Sequence, residues 1–187
     1  DVLQNVVPEI FCQNKKKNIK KKNFYTFLSV SRFDENKNIE MLINVFIKNF
    51  SDKNAKLFIF GGGKFINKFR NKIFETGLED KIKLYNFIDR KNILSHYQNC
   101  DCFIMPSHKE TFGMALFEAL LFKNYFITSR HSGFFELKRI NVNIPNFDSK
   151  DPDKLKKLML SAFNSRKKFN FRKKIIENFG KKRFLEK

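Results

Sequence analysis

The sequence predicts a Rossmann-like, three-layer α/β/α domain built on one parallel sheet of about six strands. Short apolar runs rich in Phe, Ile and Leu recur without polar alternation, the pattern of strands covered on both faces. Longer stretches between them carry apolar residues at i, i+3, i+4 spacing, the mark of helices with one buried side. The two kinds of segment alternate to the end of the chain, as they do in βαβ units. At 187 residues the chain has room for one such domain with its own core, not for two large ones.

Residues 1–23 are apolar and then strongly basic, with Pro8 early, and read as a linker or entry segment. Residues 24–150 read as the sheet domain and residues 151–187 as closing helices. The expected strands are 24–30, 56–60, 82–85, 102–105 and 126–128, with a weaker sixth at 141–144. Ile39, Leu42, Ile43 and Phe46 mark the first helix; Phe65, Phe69, Ile73 and Phe74 the second, ending near Gly77. Ile93, Leu94 and Tyr97 mark a third. A fourth spans 113–123 with Thr111 as its cap, and a fifth opens at Asp151-Pro152 and runs to about Ser165. A sixth covers 172–184. Right-handed crossovers put helices on both faces, and ligands in such sheets bind beyond the carboxyl ends of the strands. The loops that matter are therefore 31–37, 61–64, 86–90, 106–113 and 129–133.

Composition narrows the partners. A formal net charge of +19 attracts polyanions, whether nucleic acid, anionic lipid or phosphorylated substrates. Much of it sits in runs: Lys15 to Lys17, Lys20 to Lys22, Arg166 to Lys168, Arg172 to Lys174 and Lys181 to Arg183. With 25 Phe, the charge admits an alternative reading as a basic nucleic-acid-binding module that stacks bases on aromatic rings. Cys12, Cys100 and Cys102 lack metal-ligand spacing and read as reduced, buried thiols, which suits a cytoplasmic location. No apolar run is long enough to span a membrane.

Three constellations fall in the rim loops. Arg32 and Lys37 follow the first strand, where a forked donor, a point charge and nearby helix-end amides suit a diphosphate. Gly61, Gly62 and Gly63 follow the second strand and read equally as a tight turn or as a loop that lets a ligand approach. After the fourth, Pro106-Ser107-His108-Lys109-Glu110-Thr111-Phe112-Gly113 leads into a helix bearing Glu118. There Glu110 can face a ligand, the amides of Phe112, Gly113 and Met114 can meet sugar or phosphate oxygens, and Glu118 can accept two ribose hydroxyls.

These residues resemble the carboxyl-terminal domain of retaining GT-B glycosyltransferases of the group 1, or family 4, class. Pro106, Ser107, Glu110, Phe112, Gly113, Glu118 and Ala119 follow that family's P-S-x-x-E-x-F-G-x-x-x-x-E-A stretch in order. Arg32 and Lys37 match its Arg and Lys five residues apart, and Ser132-Gly133-x-x-Glu136 matches a later turn. The resemblance covers roughly residues 24–137, with departures at Asn86, Lys123, Tyr125 and Phe134. It implies that Arg32 and Lys37 hold the diphosphate of a UDP- or GDP-sugar, and that Glu118 binds the ribose. Glu110, Phe112, Gly113 and Met114 would hold the sugar, with Gly61, Phe87 and Ile88 near the nucleotide. Catalysis is expected to be electrostatic, through Glu110, Arg32 and Lys37, with no metal and no other cofactor.

The resemblance further implies hexose transfer with retention to a glycan or lipid-linked acceptor in cell-surface polysaccharide synthesis, such as capsule or lipopolysaccharide. The acceptor would bind through an amino-terminal domain outside this chain, which alone is expected to bind donor weakly and transfer no sugar. The basic runs are expected to favour an anionic surface, the inner face of the cell membrane, and no nucleic acid.

Overall fold

The structure, a computed structural model, describes residues 7–13 and 22–180. The expected fold class is the one observed: six parallel strands with helices on both faces. The strands are β1 Tyr25–Val30, β2 Ala55–Phe60, β3 Ile82–Tyr85, β4 Cys102–Met105, β5 Tyr125–Ser129 and β6 Asn146–Phe147. The helices are α1 Glu9–Gln13, α2 Ile39–Phe50, α3 Ile66–Phe74, α4 Arg90–Asn99, α5 Met114–Leu120, α6 Ser132–Arg139, α7 Pro152–Ser165 and α8 Arg172–Phe179.

Successive strand residues bury against opposite layers, which is why the runs carry no polar alternation. Phe27, Leu57, Ile59, Cys102, Ile104 and Ile127 join one core with residues of α2, α3 and α7. Leu28, Phe60, Phe103, Met105 and Phe126 point the other way, into a core shared with α1, α4, α5 and α8. Phenylalanine fills much of both layers: Phe27 lies edge-on to Phe50 with centroids 5.1 Å apart, and Phe46 stacks on Phe50 at 5.5 Å.

Strand order is β3-β2-β1-β4-β5-β6. The chain builds outward from β1 through β2 and β3, then returns to add β4 on the other side of β1. The loops after β1 and β4 therefore leave the sheet in opposite directions and open a crevice between them. That switch point is where open α/β sheets bind ligands.

Several local expectations need correction. The sixth strand is Asn146–Phe147, paired with Thr128 and Ser129 of β5, not 141–144. Val142 and Ile144 are buried in the core without pairing, so their apolar character reports burial rather than a strand. Thr111 does not cap α5; Gly113 occupies the N-cap in the left-handed region, φ 83°, and the helix is shorter than 113–123. Helices α1 and α6 were not expected. Within the expected linker, Val7 and Phe11 are buried in the core. Arg172 ties this segment down by donating to the carbonyls of Leu121, Phe11 and Cys12. The basic runs Lys15 to Lys17 and Lys181 to Arg183, and the end of the helix expected to reach residue 184, lie outside the described residues.

Candidate functional site at the carboxyl rim of the sheet

The loop after β1 is short and tightly organised. The Asp34 carboxylate accepts from Asn36 N at 3.0 Å and caps a 3-10 turn, Glu35–Lys37. Asn38 then takes a left-handed conformation, φ 52°, which Asn tolerates better than most residues. Its side-chain amide donates to Pro106 O at 3.2 Å and Ser149 O at 2.9 Å, tying three loops together. His108 N donates to Asn36 O at 2.7 Å, a direct backbone link between the loops after β1 and β4.

That link sets Lys37 beside Glu110. Lys37 Nζ lies 2.9 Å from Glu110 Oε1, and each side chain is only 11% exposed. Ser107 Oγ donates to the same carboxylate oxygen at 2.9 Å. With both contacts on Oε1, Oε2 has no protein partner among the described residues, leaving acceptor capacity for a ligand hydroxyl. Ser129 Oγ in turn donates to Ser107 O at 2.5 Å, anchoring the β4 loop to the end of β5.

Arg32 sits on the same loop as Lys37 but faces outward. Its side chain is 69% exposed and lies 3.4 Å from Asp34. Glu118 is partly buried on α5, where its carboxylate accepts from Tyr97 OH at 3.1 Å. Tyr97 is fully buried; burial, reinforced by the Glu118 charge, raises its pKa well above the ordinary value and keeps it a donor. Phe112 and Gly113 lead into α5 and Met114 opens its first turn, where backbone N–H groups lack helical partners.

The glycine run is explained by packing between loops. A Cβ on Gly61 would stand 1.7 Å from Ser31 O, and one on Gly63 would stand 2.6 Å from Phe33 O. These two glycines let the β2 loop lie directly against the Arg32 loop. Gly62 lies under the ring of Phe87, which is exposed together with Ile88 at the outer end of the rim.

His131, in the loop after β5, was not singled out from the sequence. It is buried, with Nε2 3.0 Å from Thr128 Oγ1. Burial pushes its pKa down to about 4; Glu110 opposes this shift and Lys37 adds to it. A polar residue two positions after a buried strand, inside a loop already marked as a ligand loop, was the available signal. Asn38 offered none, because its partners at Pro106 and Ser149 are remote in sequence.

A family model for group 1 glycosyl transferases matches residues 11–182. An uncharacterized glycosyltransferase of Methanocaldococcus jannaschii is 28% identical over 128 residues, 68% of this chain and 33% of that protein. Among solved structures, the apo lipopolysaccharide outer core galactosyltransferase WaaB superposes with a TM-score of 0.73 at 18% identity, covering 89% of this chain and 48% of that one. The Anabaena protein HepE in complex with UDP superposes with a TM-score of 0.69 at 18% identity, covering 88% and 48%. The chain thus spans about a third of the curated relative and about half of each of these structures. With the motif residues on the rim and the family model running along nearly the whole described chain, the protein belongs to the group 1 glycosyl transferases.

Proposed function

We propose that this chain is the donor-binding, carboxyl-terminal half of a retaining family 4 glycosyltransferase. It would grip a UDP- or GDP-sugar at the switch point between β1 and β4. The observation that carries this reading is the Lys37–Glu110 contact of 2.9 Å, which joins a cation and a carboxylate from loops far apart in sequence at the ligand-binding crevice of the sheet. The known structure of HepE with UDP supports a nucleotide ligand for this fold.

In this reading Lys37 and the exposed fork of Arg32 hold the diphosphate, and Glu118 takes the ribose hydroxyls. Glu110, through Oε2, and the backbone of Phe112, Gly113 and Met114 hold the sugar. Gly61, Phe87 and Ile88 border the nucleotide. As the sugar–phosphate bond breaks, negative charge grows on the departing nucleoside diphosphate. Arg32 and Lys37 stabilise that charge more in the transition state than in the ground state, which is how fixed charges accelerate a reaction. No metal is required for that role. An acceptor hydroxyl attacking from the departing face would retain the anomeric configuration without a protein nucleophile. The acceptor, a glycan or lipid-linked sugar, would bind through a second domain, and the product would belong to a cell-surface polysaccharide.

Arg32 gives the cleanest test because its exposed side chain contributes little to folding. UDP or GDP should raise the melting temperature of the chain, and Arg32→Ala should abolish most of that rise while leaving the unliganded melting temperature within about 1–2 °C. A screen in which UDP, GDP and ADP all leave the melting temperature unchanged would overturn the reading.

A further inference from the structure

The sheet ends on one side in β3, whose outer edge has no neighbouring strand among the described residues. Leu57 N donates to Lys81 O and Gly61 N to Tyr85 O, so every second residue from Lys81 turns its backbone groups toward β2. The residues between them turn theirs away. Leu84 N–H, Leu84 C=O and Ile82 C=O point outward, while Ile82 N–H is taken by Leu78 O. An edge of this kind is a template for another strand.

The surface beside it is apolar in the middle and oppositely charged at its ends. A shallow groove between α3 and β3 is lined by Arg70, Phe74, Glu79, Ile82 and Leu84. Phe74 is 73% exposed there, and Leu84 is half-buried. Residues 73–80, which lead into the amino end of β3, carry Glu75, Glu79 and Asp80 and no Lys or Arg, in a chain with 38 Lys and Arg against 19 Asp and Glu. All three carboxylates are exposed. At the other end Arg70 donates to Asn86 Oδ1 at 3.4 Å, just past the carboxyl end of β3. Neither Glu79 nor Arg70 has an oppositely charged partner among the described residues.

A half-turn about an axis perpendicular to the sheet maps the acidic end of this surface onto the basic one, so a second copy of the chain is complementary to it. Charge also sets the register. With the axis at Ile82 or Lys83, lysines would stand directly opposite one another, which is destabilising. With it at Tyr85, Leu84 would pair with Asn86, past the end of the strand. With it at Leu84, the two Leu84 residues exchange both backbone hydrogen bonds, and each Lys83 faces the exposed ring of the partner's Tyr85. Ile82 then lies opposite the partner's Asn86, the residue that Arg70 holds, and Glu79 comes beside the partner's Arg70. We propose that the chain forms a symmetric dimer in which antiparallel β3 strands join two six-stranded sheets into one, with Leu84 on the axis. The joint uses up this edge in both copies, so it closes at two chains. It is independent of what the crevice binds.

Sedimentation equilibrium of the chain from about 1 to about 300 μM should show a monomer–dimer equilibrium with a Kd on the order of 10 μM. Glu79→Arg and Arg70→Glu, both at exposed positions, should each raise that Kd about 10-fold, because each sets like charges together at both symmetry-related contacts. An equimolar mixture of the two variants should return to within about threefold of the wild-type Kd, since a heterodimer of them has opposite charges at both contacts. A change that acted through folding would not be rescued by mixing. Exchange of the Leu84 amide in the wild-type chain should slow about fivefold between about 1 and about 100 μM, as pairing protects it. A chain that stays monomeric to about 300 μM overturns the proposal. So does a dimer whose variants are not rescued by mixing, or one in which the Leu84 amide exchanges at the same rate at both concentrations.

Discussion

At Glu110 one carboxylate oxygen serves two donors, Lys37 Nζ and Ser107 Oγ, while the ring of His131 stands close by in a buried, neutral state. That neutrality has a consequence for stability. The His131 pKa falls from near 6.5 to about 4 on folding, chiefly through burial. Between those values the unfolded chain binds a proton that the folded chain refuses, so stability rises with pH across that window. The contribution is complete above about pH 6.5 and is lost as the pH falls toward 4. From pH 7.5 to pH 5 the wild-type chain should lose about 2 kcal/mol more than His131→Gln, measured by urea unfolding at each pH. Equal losses in the two proteins would show that the His131 pKa does not fall on folding.

At the scale of elements, strands and helices are held by the faces they bury, one or two each. Phe103 of β4 is fully buried and packs on Tyr97 of α4 with ring centroids 5.7 Å apart. Phe103→Ala should therefore destabilise the fold by about 3–5 kcal/mol. Phe135 of α6 is 55% exposed, and Phe135→Ala should change stability by no more than about 0.5 kcal/mol. Urea denaturation of the two variants checks the contrast, and a loss in Phe135→Ala as large as that in Phe103→Ala would mean that this face of α6 is packed rather than exposed. The same logic explains which elements were legible. β1, β2, β4 and β5 stood out because a largely apolar run bounded by turn residues suits a strand covered on both faces, while β3, at the sheet edge with Tyr85 exposed, showed through Ile82 and Leu84 alone. The short α6 did not, because Ser132, Gly133 and exposed Phe135 blur its one buried face, formed by Phe134 and Leu137. The sixth strand was misplaced because Val142 and Ile144 are buried without pairing, while Asn146 and Phe147 pair with little apolar signature. The start of α5 followed Gly113 rather than Thr111 because a left-handed turn, closely packed on Met105 and His131, takes the capping position.

Across the whole molecule the formal net charge is +19, and the cations of the described residues divide into some that hold the fold and others that face solvent. Lys22 and Lys168 converge on Asp101, at 3.4 and 3.3 Å, and Arg166 lies over the Tyr25 ring, 4.7 Å from its centroid. The remainder supports a proposal at this scale: the chain associates with anionic membrane surfaces, where each nearby Lys or Arg contributes about 1 kcal/mol. Among the described residues no helix is long and apolar enough to cross a membrane. Co-sedimentation with vesicles should rise with their phosphatidylserine content. It should fall as salt is raised from about 0.1 to about 1 M, which shortens the Debye length from about 10 to about 3 Å. Binding insensitive to both would remove the idea.

The sequence by itself determined the fold class, the parallel sheet and the motif residues of the β1 and β4 loops. These follow from periodicity, from burial on both faces and from local spacing, all of which are written along the chain. Only the tertiary structure decided what those residues touch. It paired Lys37 with Glu110, turned Arg32 outward, gave Glu118 to Tyr97 and buried His131 with one nitrogen unfilled. The physical reason is that such contacts depend on which strands are neighbours. The order β2-β1-β4 brings loops separated by about seventy residues to one crevice, and no local pattern encodes that adjacency.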